Sequence, residues 1–509
     1  MSKKLILIKL QFPKNTIPFV FVSLGMMVIH MMFMSNLLPW IDEVMYTDTP
    51  LHFVSGDGWI THAWPTNAGR KPFSLVSPLY QFLLTGWMWL FGTSLWASRS
   101  FNLLIMVLIG ICTLRFTERV GLSIGKGGAI VFALLLWLTP AMSFMCRNGR
   151  CDLLGALFSI NLFIQVIDYL YGRIKKKWLI MAFSALAIMT SLPAAIFVTL
   201  VLFLGIVYLK GQRKRILWSI ILTFIGYIIG FVLTAIFFVY NGALLAFLEN
   251  TFAFSGTLKS FAAIVFPYVG PVLGLDTDYY MGKFMHESTV PVISFGDRFL
   301  ELLHNPSYMF ILLACIAIIV FRYKKIAQTP NKKVIYGLLL LGILIPLLML
   351  MIGRFVAYYY WMALLPLFLC LCALFTLDEG RINKCVVTAV LVVLGLLGGM
   401  AITNNSHYAE MRTFISESTF LKNKVIASPF APFYEIEQKS NNVYYPEVMS
   451  AENLPDHFDY IIVPNCNTVA EKKIEQLLDK IKAEKSNEVR LVATCQEPYL
   501  EIYEVLSRP

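Results

Sequence analysis

The first acidic residues of the chain are two adjacent carboxylates, Asp42 and Glu43, which can do acid–base chemistry. They follow an apolar run at 17–38 and so lie where a first membrane helix would end. A carboxylate there can take the proton of an incoming hydroxyl, which is a poor nucleophile until it is deprotonated. The alternative is that the pair only forms the solvated end of a helix.

Cations able to hold a phosphate occur in three further segments at the same expected membrane depth. They are Arg70 and Lys71 before Pro72, Arg147 and Arg150 with the acid Asp152 in CRNGRCD, and Arg354 with Tyr358 and Tyr359 in GRFVAYYY. Acids beside such cations suit transfer from a lipid-linked phosphate, because the cations neutralise the departing phosphate. The alternatives are that the arginines meet lipid headgroups and that Arg354 and its tyrosines form an interfacial belt.

The composition predicts the kind of element that must position these residues. Of the 509 residues, 58% are hydrophobic and only 14% are charged, which is far too apolar for a soluble domain of this size. The net charge is +11, but the basic residues cluster in short loops between apolar runs, as cytoplasmic loops do. The sequence therefore predicts a mainly helical, polytopic membrane protein that binds membrane lipids and no nucleic acid.

The apolar run Pro78–Trp96 decides the topology. If this run does not cross the membrane, five basic loops lie on the cytoplasmic side together with the basic N-terminus. If it crosses, all five loops lie outside, which violates the positive-inside rule. The run is short and rich in aromatic residues, which favours an interfacial helix. The pattern predicts about eleven transmembrane helices, an interfacial helix in the first outer loop and an outward C-terminus.

The chain divides at about residue 402. Residues 1–402 are predicted to form a transmembrane catalytic domain with outer loops 39–98 and 241–306. Residues 403–509 become polar and contain short strand patterns and one amphipathic helix pattern. They predict a small α/β soluble domain that folds separately outside the membrane.

No cofactor is required by the sequence. The clustered acids could bind a divalent metal, but neither their spacing nor their ligand type demands one. The nine cysteines and seven histidines show no metal-ligand spacing. Cys466 and Cys495 lie in the polar tail, where a disulfide between them is open if the tail faces outside the cell.

The order of these motifs resembles the membrane-embedded GT-C glycosyltransferases. The nearest groups are the bacterial aminoarabinose transferases and, more distantly, the protein O-mannosyltransferases. The segments that carry the resemblance are DE, SGDGW, KP, SPLYQFLLTGWMWLFGTSLWASR, RNGRCD and RFVAYYYWMALLPLF. They cover about the first 155 residues and recur near 353–368.

The resemblance implies a polyprenyl-phosphate-linked sugar donor. It also implies transfer to a lipid, glycan or protein acceptor on the outer face of the bacterial inner membrane. The first-loop acid of the family falls on Asp42, its second outer acid on Asp152 and its basic residue before proline on Lys71. The family often has glutamate before that lysine, where this chain has Arg70, so the pocket is more cationic and suits a more anionic donor or acceptor.

The residues fall into predicted roles on this basis. Asp42 is expected to be the base or to orient the substrate, with Glu43 and Asp152 in support. The donor phosphate is expected to be bound by Lys71, Arg70, Arg147, Arg150 and Arg354, and the substrate by Tyr46, Tyr358 and Tyr359.

Two other functional classes compete with a glycosyltransferase. A transporter or lipid flippase would have acids or broken helices near mid-membrane and inverted repeats, whereas the charges here lie mainly at span ends and no repeat is found. The third class is a non-catalytic membrane assembly factor that has the same fold but no activity. This class stays open because Arg70 stands where the family often has glutamate.

Overall fold

The computed structural model describes most of the chain. The described residues are 13, 15–39, 41–63, 78–122, 124–174, 176–244, 247–248, 295–351, 359–377, 381–403, 407–446, 449, 454–464, 472–484, 487–497 and 499–507. Several residues predicted above therefore lie outside the described residues, namely Arg70, Lys71, Arg354, Tyr358 and Cys466.

The described part is mainly helical, as predicted. The helices are α1 Thr16–Met32, α2 Ile41–Ser55, α3 Pro78–Phe91, α4 Leu95–Arg119, α5 Lys126–Leu138, α6 Pro140–Cys146, α7 Asp152–Leu170, α8 Trp178–Ile188, α9 Leu192–Tyr208, α10 Arg213–Tyr240, α11 Phe295–His304, α12 Pro306–Ala327, α13 Lys332–Met351, α14 Trp361–Leu377, α15 Arg381–Thr403, α16 Tyr408–Glu417, α17 Phe433–Glu437 and α18 Lys472–Ala483. The strands are β1 Ile426–Ala427, β2 Val443–Tyr444, β3 Tyr460–Pro464, β4 Asn487–Gln496 and β5 Tyr499–Ser507.

Long apolar helices make this a multi-pass membrane protein. Within the described ranges, five helices are long and apolar enough to cross a bilayer, and the pair α5–α6, bent by 70°, raises the number to six. Four shorter apolar helices, α1, α8, α9 and α14, accompany them. The number of about eleven spans stays a prediction.

Helix α3 corresponds to the run that decided the topology. It has 14 residues, which at 1.5 Å per residue is about 21 Å and shorter than a hydrocarbon core of about 30 Å. Its last turn leaves the large apolar side chains of Trp89, Leu90 and Phe91 exposed. Length and aromatic exposure both fit a helix that lies in the interface.

The predicted orientation can be tested by labelling. Lys176 and Lys422 are both exposed, and the charge pattern places the first in the cytoplasm and the second outside. In a cysteine-free background, a single cysteine at Lys176 should react with an impermeant thiol reagent only after the membrane is opened. A single cysteine at Lys422 should react in intact cells. Labelling of both positions from the same side would contradict the topology.

The C-terminal tail forms a five-stranded mixed sheet with the order β2-β1-β3-β5-β4. Strand β1 pairs in parallel with β2 and β3, whereas β5 pairs antiparallel with β3 and β4. Helix α18 buries Ile474, Leu478 and Ile481, which are spaced along one helical face. The α/β architecture predicted for the tail is therefore observed.

The tail packs directly against the start of α4. The hydroxyl groups of Ser98 and Tyr434 lie 2.7 Å apart, and the amide of Gln438 donates to the carbonyl oxygen of Thr93. Tyr408 and Met411 of α16 belong to the same continuous apolar core as the transmembrane helices. The tail thus contacts the first outer loop, and its ability to fold alone stays a prediction.

Candidate active site

Arg150 joins the two acids that the sequence singled out. Its Nη1 lies 2.5 Å from Asp42 Oδ2 and its Nε lies 2.7 Å from Asp152 Oδ2. Asp42 is in the first turn of α2 and Asp152 is the first residue of α7. Helix N-termini favour negative charge, so both carboxylates occupy positions that stabilise their ionised forms.

The three groups differ in how far they reach solvent. The side chains of Arg150 and Asp152 are 8% and 5% exposed, whereas that of Asp42 is 23% exposed. Burial alone would lower the pKa of Arg150, but the negative charges of Asp152 and Asp42 raise it well above its ordinary value. The site therefore holds a permanent guanidinium charge between two carboxylates, and Asp42 is the acid that an incoming molecule reaches first.

The loop that carries Arg150 is fixed by its contacts with two helices. Asn102 of α4 donates its side-chain amide to the backbone carbonyl oxygens of Asn148 and Arg150. Gly149 lies so close to α2 that an added Cβ would be 2.8 Å from Thr47 Cγ2 and 3.2 Å from Glu43 Cγ. Only glycine allows this approach, which explains the central residue of the RNGRCD segment.

Tyrosines line the same site. Tyr46 is buried one turn after Asp42, and the guanidinium carbon of Arg150 lies 5.4 Å from the centre of its ring. Burial is the main cause that raises the pKa of Tyr46 well above its ordinary value, so its hydroxyl stays protonated. Tyr359 lies within electrostatic range of both side chains. Two of the three predicted substrate-contacting tyrosines therefore lie beside Arg150.

Glu43 faces a different partner from its neighbour in sequence. Its two carboxylate oxygens accept hydrogen bonds from Nε and Nη2 of Arg99, at 2.8 and 2.7 Å. Both side chains are buried, and Arg99 also donates to the carbonyl oxygens of Met34 and Leu37 before α2. This bidentate pair ties the start of α2 to α4, so Glu43 positions the helix that carries Asp42.

Arg147 also lies away from the Asp42–Arg150–Asp152 group. It is buried, and its Nη1 and Nη2 donate to the carbonyl oxygens of Ile402 and Ala401 at 3.3 and 2.8 Å. These carbonyls belong to the last turn of α15, where the helix leaves its acceptors unpaired. The guanidinium thus caps a helix, and the phosphate contact that the sequence predicts for Arg147 stays a prediction.

The arrangement of helices is found in solved membrane glycosyltransferases. The oligosaccharyltransferase AglB from the archaeon Archaeoglobus fulgidus aligns with a TM-score of 0.50 and 12% identity, over 86% of this chain and 69% of that chain. ArnT from Cupriavidus metallidurans aligns at 0.47 and 13%, over 96% and 97%. The arabinofuranosyltransferase AftD from Mycobacteria aligns at 0.49 and 14%, over 96% and 40%. No family model and no curated protein matches the sequence.

The chain has the GT-C glycosyltransferase fold. The resemblance predicted from the order of motifs is therefore confirmed for the fold. Within this GT-C fold, the first outer loop and the segment before α7 meet at Arg150, as the positions of the motifs predicted.

Two residues that hold this site were missed in the sequence. Arg99 and Asn102 are polar side chains in the first two turns of α4, one of the helices long enough to cross the membrane. A charge or amide in an apolar span is costly unless it has a partner, so both were detectable signals. Their partners could not be deduced, because Glu43 and Asn148 lie about 50 residues away in opposite directions.

Proposed function

We propose that this protein is a glycosyltransferase that moves a sugar from a polyprenyl-phosphate donor to a hydroxyl group on the outer face of the membrane. The observation that carries the proposal is the Asp42–Arg150–Asp152 group, in which a partly exposed carboxylate lies beside a permanent positive charge at the ends of two helices. Neither a packing role nor a headgroup contact requires two acids on one buried guanidinium.

The proposed step uses these three groups together with the predicted phosphate-binding cations. Asp42 accepts the proton of the acceptor hydroxyl as its oxygen forms a bond to the anomeric carbon of the sugar. The bond between that carbon and the phosphate oxygen breaks, and the polyprenyl phosphate leaves with the electron pair. Arg150 and the cations Lys71, Arg70 and Arg354 stabilise the charge that develops on this phosphate. Asp152 keeps Arg150 oriented.

The comparisons support the class of donor. The AglB structure, which shares the fold, is a complex with dolichol-phosphate and an inhibitory peptide. A lipid phosphate must present its headgroup at the membrane surface because its tail stays in hydrocarbon, and the first turn of α2 lies directly after the first apolar helix. Lipid, glycan and protein hydroxyls are all acceptors that this geometry suits, and the membrane is the bacterial inner membrane in this proposal.

A transfer assay tests the function directly. The purified protein, given synthetic polyprenyl-phosphate sugars and a panel of lipid and peptide acceptors, should release polyprenyl phosphate only when an acceptor is present. Mass spectrometry of surface lipids and proteins from cells with and without the gene identifies the natural product. If the protein instead moved intact lipid-linked sugar across a vesicle membrane without cleaving the sugar–phosphate bond, it would be a flippase and not a glycosyltransferase.

Arg150 and Arg147 form a matched pair for testing the phosphate contact. Arg150→Lys keeps the charge but cannot reach Asp42, Asp152 and a phosphate as a planar fork can. Donor affinity should fall by about 1.5–3 kcal/mol, roughly 10–150-fold in Kd. Arg147→Lys, at the end of α15, should leave donor affinity unchanged. Titration calorimetry or a fluorescent donor analogue measures the donor Kd of both variants. A larger loss of affinity in Arg147→Lys than in Arg150→Lys would instead identify Arg147 as the phosphate-binding residue.

A further inference from the structure

A second polar cluster lies at the far end of α2, where the first outer loop meets the tail. His52 is in the last turn of α2 and Glu437 is the last residue of α17. His62 follows shortly after the Gly-Asp-Gly turn. The three side chains are 0–3% exposed, and one donor atom from each lies within 4.8 Å of the others. The proposed sugar transfer uses none of them.

Hydrogen bonds outside the cluster orient two of its donor atoms inward. Nδ1 of His52 lies 3.1 Å from Asp57 Oδ2, which places the proton on Nδ1 and leaves the lone pair on Nε2. The hydroxyl of Tyr445 donates to Oε1 of Glu437 at 2.6 Å, while Oε2 faces the histidines. A carboxylate behind a histidine is the usual outer contact of a metal-binding imidazole, because it fixes both tautomer and ring orientation.

Asp48 approaches the cluster from the preceding turn of α2, next to His52. Its Oδ2 accepts hydrogen bonds from the Thr61 hydroxyl and the Ala63 backbone N–H. Its Oδ1 is fully buried, as is Nε2 of His52, and neither atom has a hydrogen-bond partner among the described residues. These two atoms lie 3.2 Å apart. With a proton on Nε2 the two atoms form an ion pair; with the proton on Nδ1 their lone pairs face each other, which is costly unless a common ligand satisfies both.

We infer that His52, His62 and Glu437 form a binding site for a divalent transition-metal ion, with Zn²⁺ preferred and Asp48 as a neighbouring negative charge. Two imidazole nitrogens and one carboxylate oxygen are a ligand set that Zn²⁺ accepts, with a water molecule in the fourth position. The two carboxylates neutralise the charge of the ion, so the buried site carries no net charge.

The donor spacing fits such an ion. Tetrahedral zinc with bonds of about 2.0–2.2 Å places neighbouring donor atoms roughly 3.4 Å apart. Nε2 of His52 lies 3.4 Å from Oε2 of Glu437, and Nδ1 of His62 lies 3.0 Å from the same oxygen. One donor atom from each of His52, His62 and Glu437 lies within 4.8 Å of the others, and the two imidazole rings are in direct contact, with centroids 3.6 Å apart.

The competing explanation is a metal-free cluster of ion pairs. Burial lowers the pKa of His52, but Asp48 and then Glu437 outweigh this effect and raise it to about 9. An imidazolium between two carboxylates would hold similar positions without a metal. The two explanations differ in an observable way, because only one of them predicts bound metal and stabilisation by added Zn²⁺.

The ion would join two distant parts of the chain. Glu437 and His62 are 375 positions apart, and the metal would link the tail to the first outer loop. His52 follows Asp42 by ten positions on α2, about 15 Å along a helix. The metal therefore has a structural role that fixes the tail over the outer surface, and it does not touch the reacting atoms.

Metal content tests the inference without any measurement of activity. The full-length protein, purified in detergent without a polyhistidine tag, is loaded with Zn²⁺ and dialysed against metal-free buffer. Mass spectrometry of the metal should find about one zinc ion per chain, and chelation should lower the thermal midpoint until Zn²⁺ is added back. Wild-type protein that retains no zinc and gains no stability from it would establish the metal-free ion-pair cluster.

Three variants locate the site. His62→Gln and Glu437→Gln should lose the bound zinc and the zinc-dependent rise in the thermal midpoint. His457→Gln is the control, because His457 is half-exposed and should leave both readings unchanged. If the first two variants fold poorly, Asp57→Asn removes only the outer contact and should lower Zn²⁺ affinity by about 10–100-fold in a chelator competition. Unchanged affinity in Asp57→Asn would contradict the assignment.

Discussion

Asp42→Asn is expected to lower the turnover number by about 10²–10⁴-fold, the usual contribution of a general base. The amide keeps the size of the carboxylate and can still contact Arg150, but it cannot accept the proton of the acceptor hydroxyl. Because Asp42 is partly exposed while Arg150 keeps Asp152 as a partner, the substitution should leave the folded fraction and donor affinity near normal. A turnover assay with saturating donor and acceptor measures the effect.

The control for this prediction is Asp479→Asn. Asp479 is an exposed aspartate on α18, far from the site in sequence, and its substitution should not change turnover. A pure loss of turnover number in Asp42→Asn, with unchanged thermal midpoint and donor Kd, would identify a role in the chemical step. Near-full activity in Asp42→Asn would show that Asp42 in the first outer loop is not the general base.

Local sequence was sufficient to predict that Asp42, Arg150 and Asp152 lie at one depth, but not that they contact one another. Asp42 and Asp152 follow or begin apolar runs, and a helix end has a fixed position relative to the membrane. Acids and cations at such ends therefore gather at one depth, even when they are about 110 positions apart, as Asp42 and Arg150 are. The same argument predicted the mainly helical fold and the α/β tail, because apolar length and periodicity are local properties.

Contacts between side chains could not be obtained in the same way. Depth is shared by all residues at helix ends, so it did not distinguish Arg150, which binds two acids, from Arg147, which caps α15. The positions of the histidines in the sequence also predict no metal site, because none of them shows the short spacing that metal ligands often have. The cluster at His52 draws its other members from later in the loop and from the tail, and only the packing of the tail brings them together.

Asp42 and Glu43 show how adjacent residues take different roles. Successive positions on a helix point about 100° apart, so one carboxylate faces Arg150 while the next faces Arg99. The sequence prediction grouped the two acids as one catalytic pair with Glu43 in support. The structure gives that support a physical form, since the Glu43–Arg99 pair determines where the first turn of α2 lies.

Glu43→Gln is accordingly expected to destabilise the fold by about 3–5 kcal/mol, the typical result of breaking a buried ion pair. Arg99 is 1% exposed and would keep its charge without a counterion, because arginine does not deprotonate in proteins. The carbonyl oxygens of Met34 and Leu37 would remain as partners, but dipoles compensate a buried charge less well than a carboxylate does. Thermal unfolding in detergent, followed by loss of the monodisperse species, measures the change.

Two further variants separate this structural role from catalysis. Adding Arg99→Met to Glu43→Gln removes the uncompensated charge and should recover part of the lost stability, because an apolar replacement of a buried pair is often tolerated. Glu475→Gln, at an exposed glutamate of α18, should have no effect. In Glu43→Gln the activity per folded molecule should fall less than in Asp42→Asn, because the start of α2 is held less firmly while the base itself remains. A normal thermal midpoint with a severe loss of turnover would instead make Glu43 the base, and the Arg99 pair would then be a means of tuning that base.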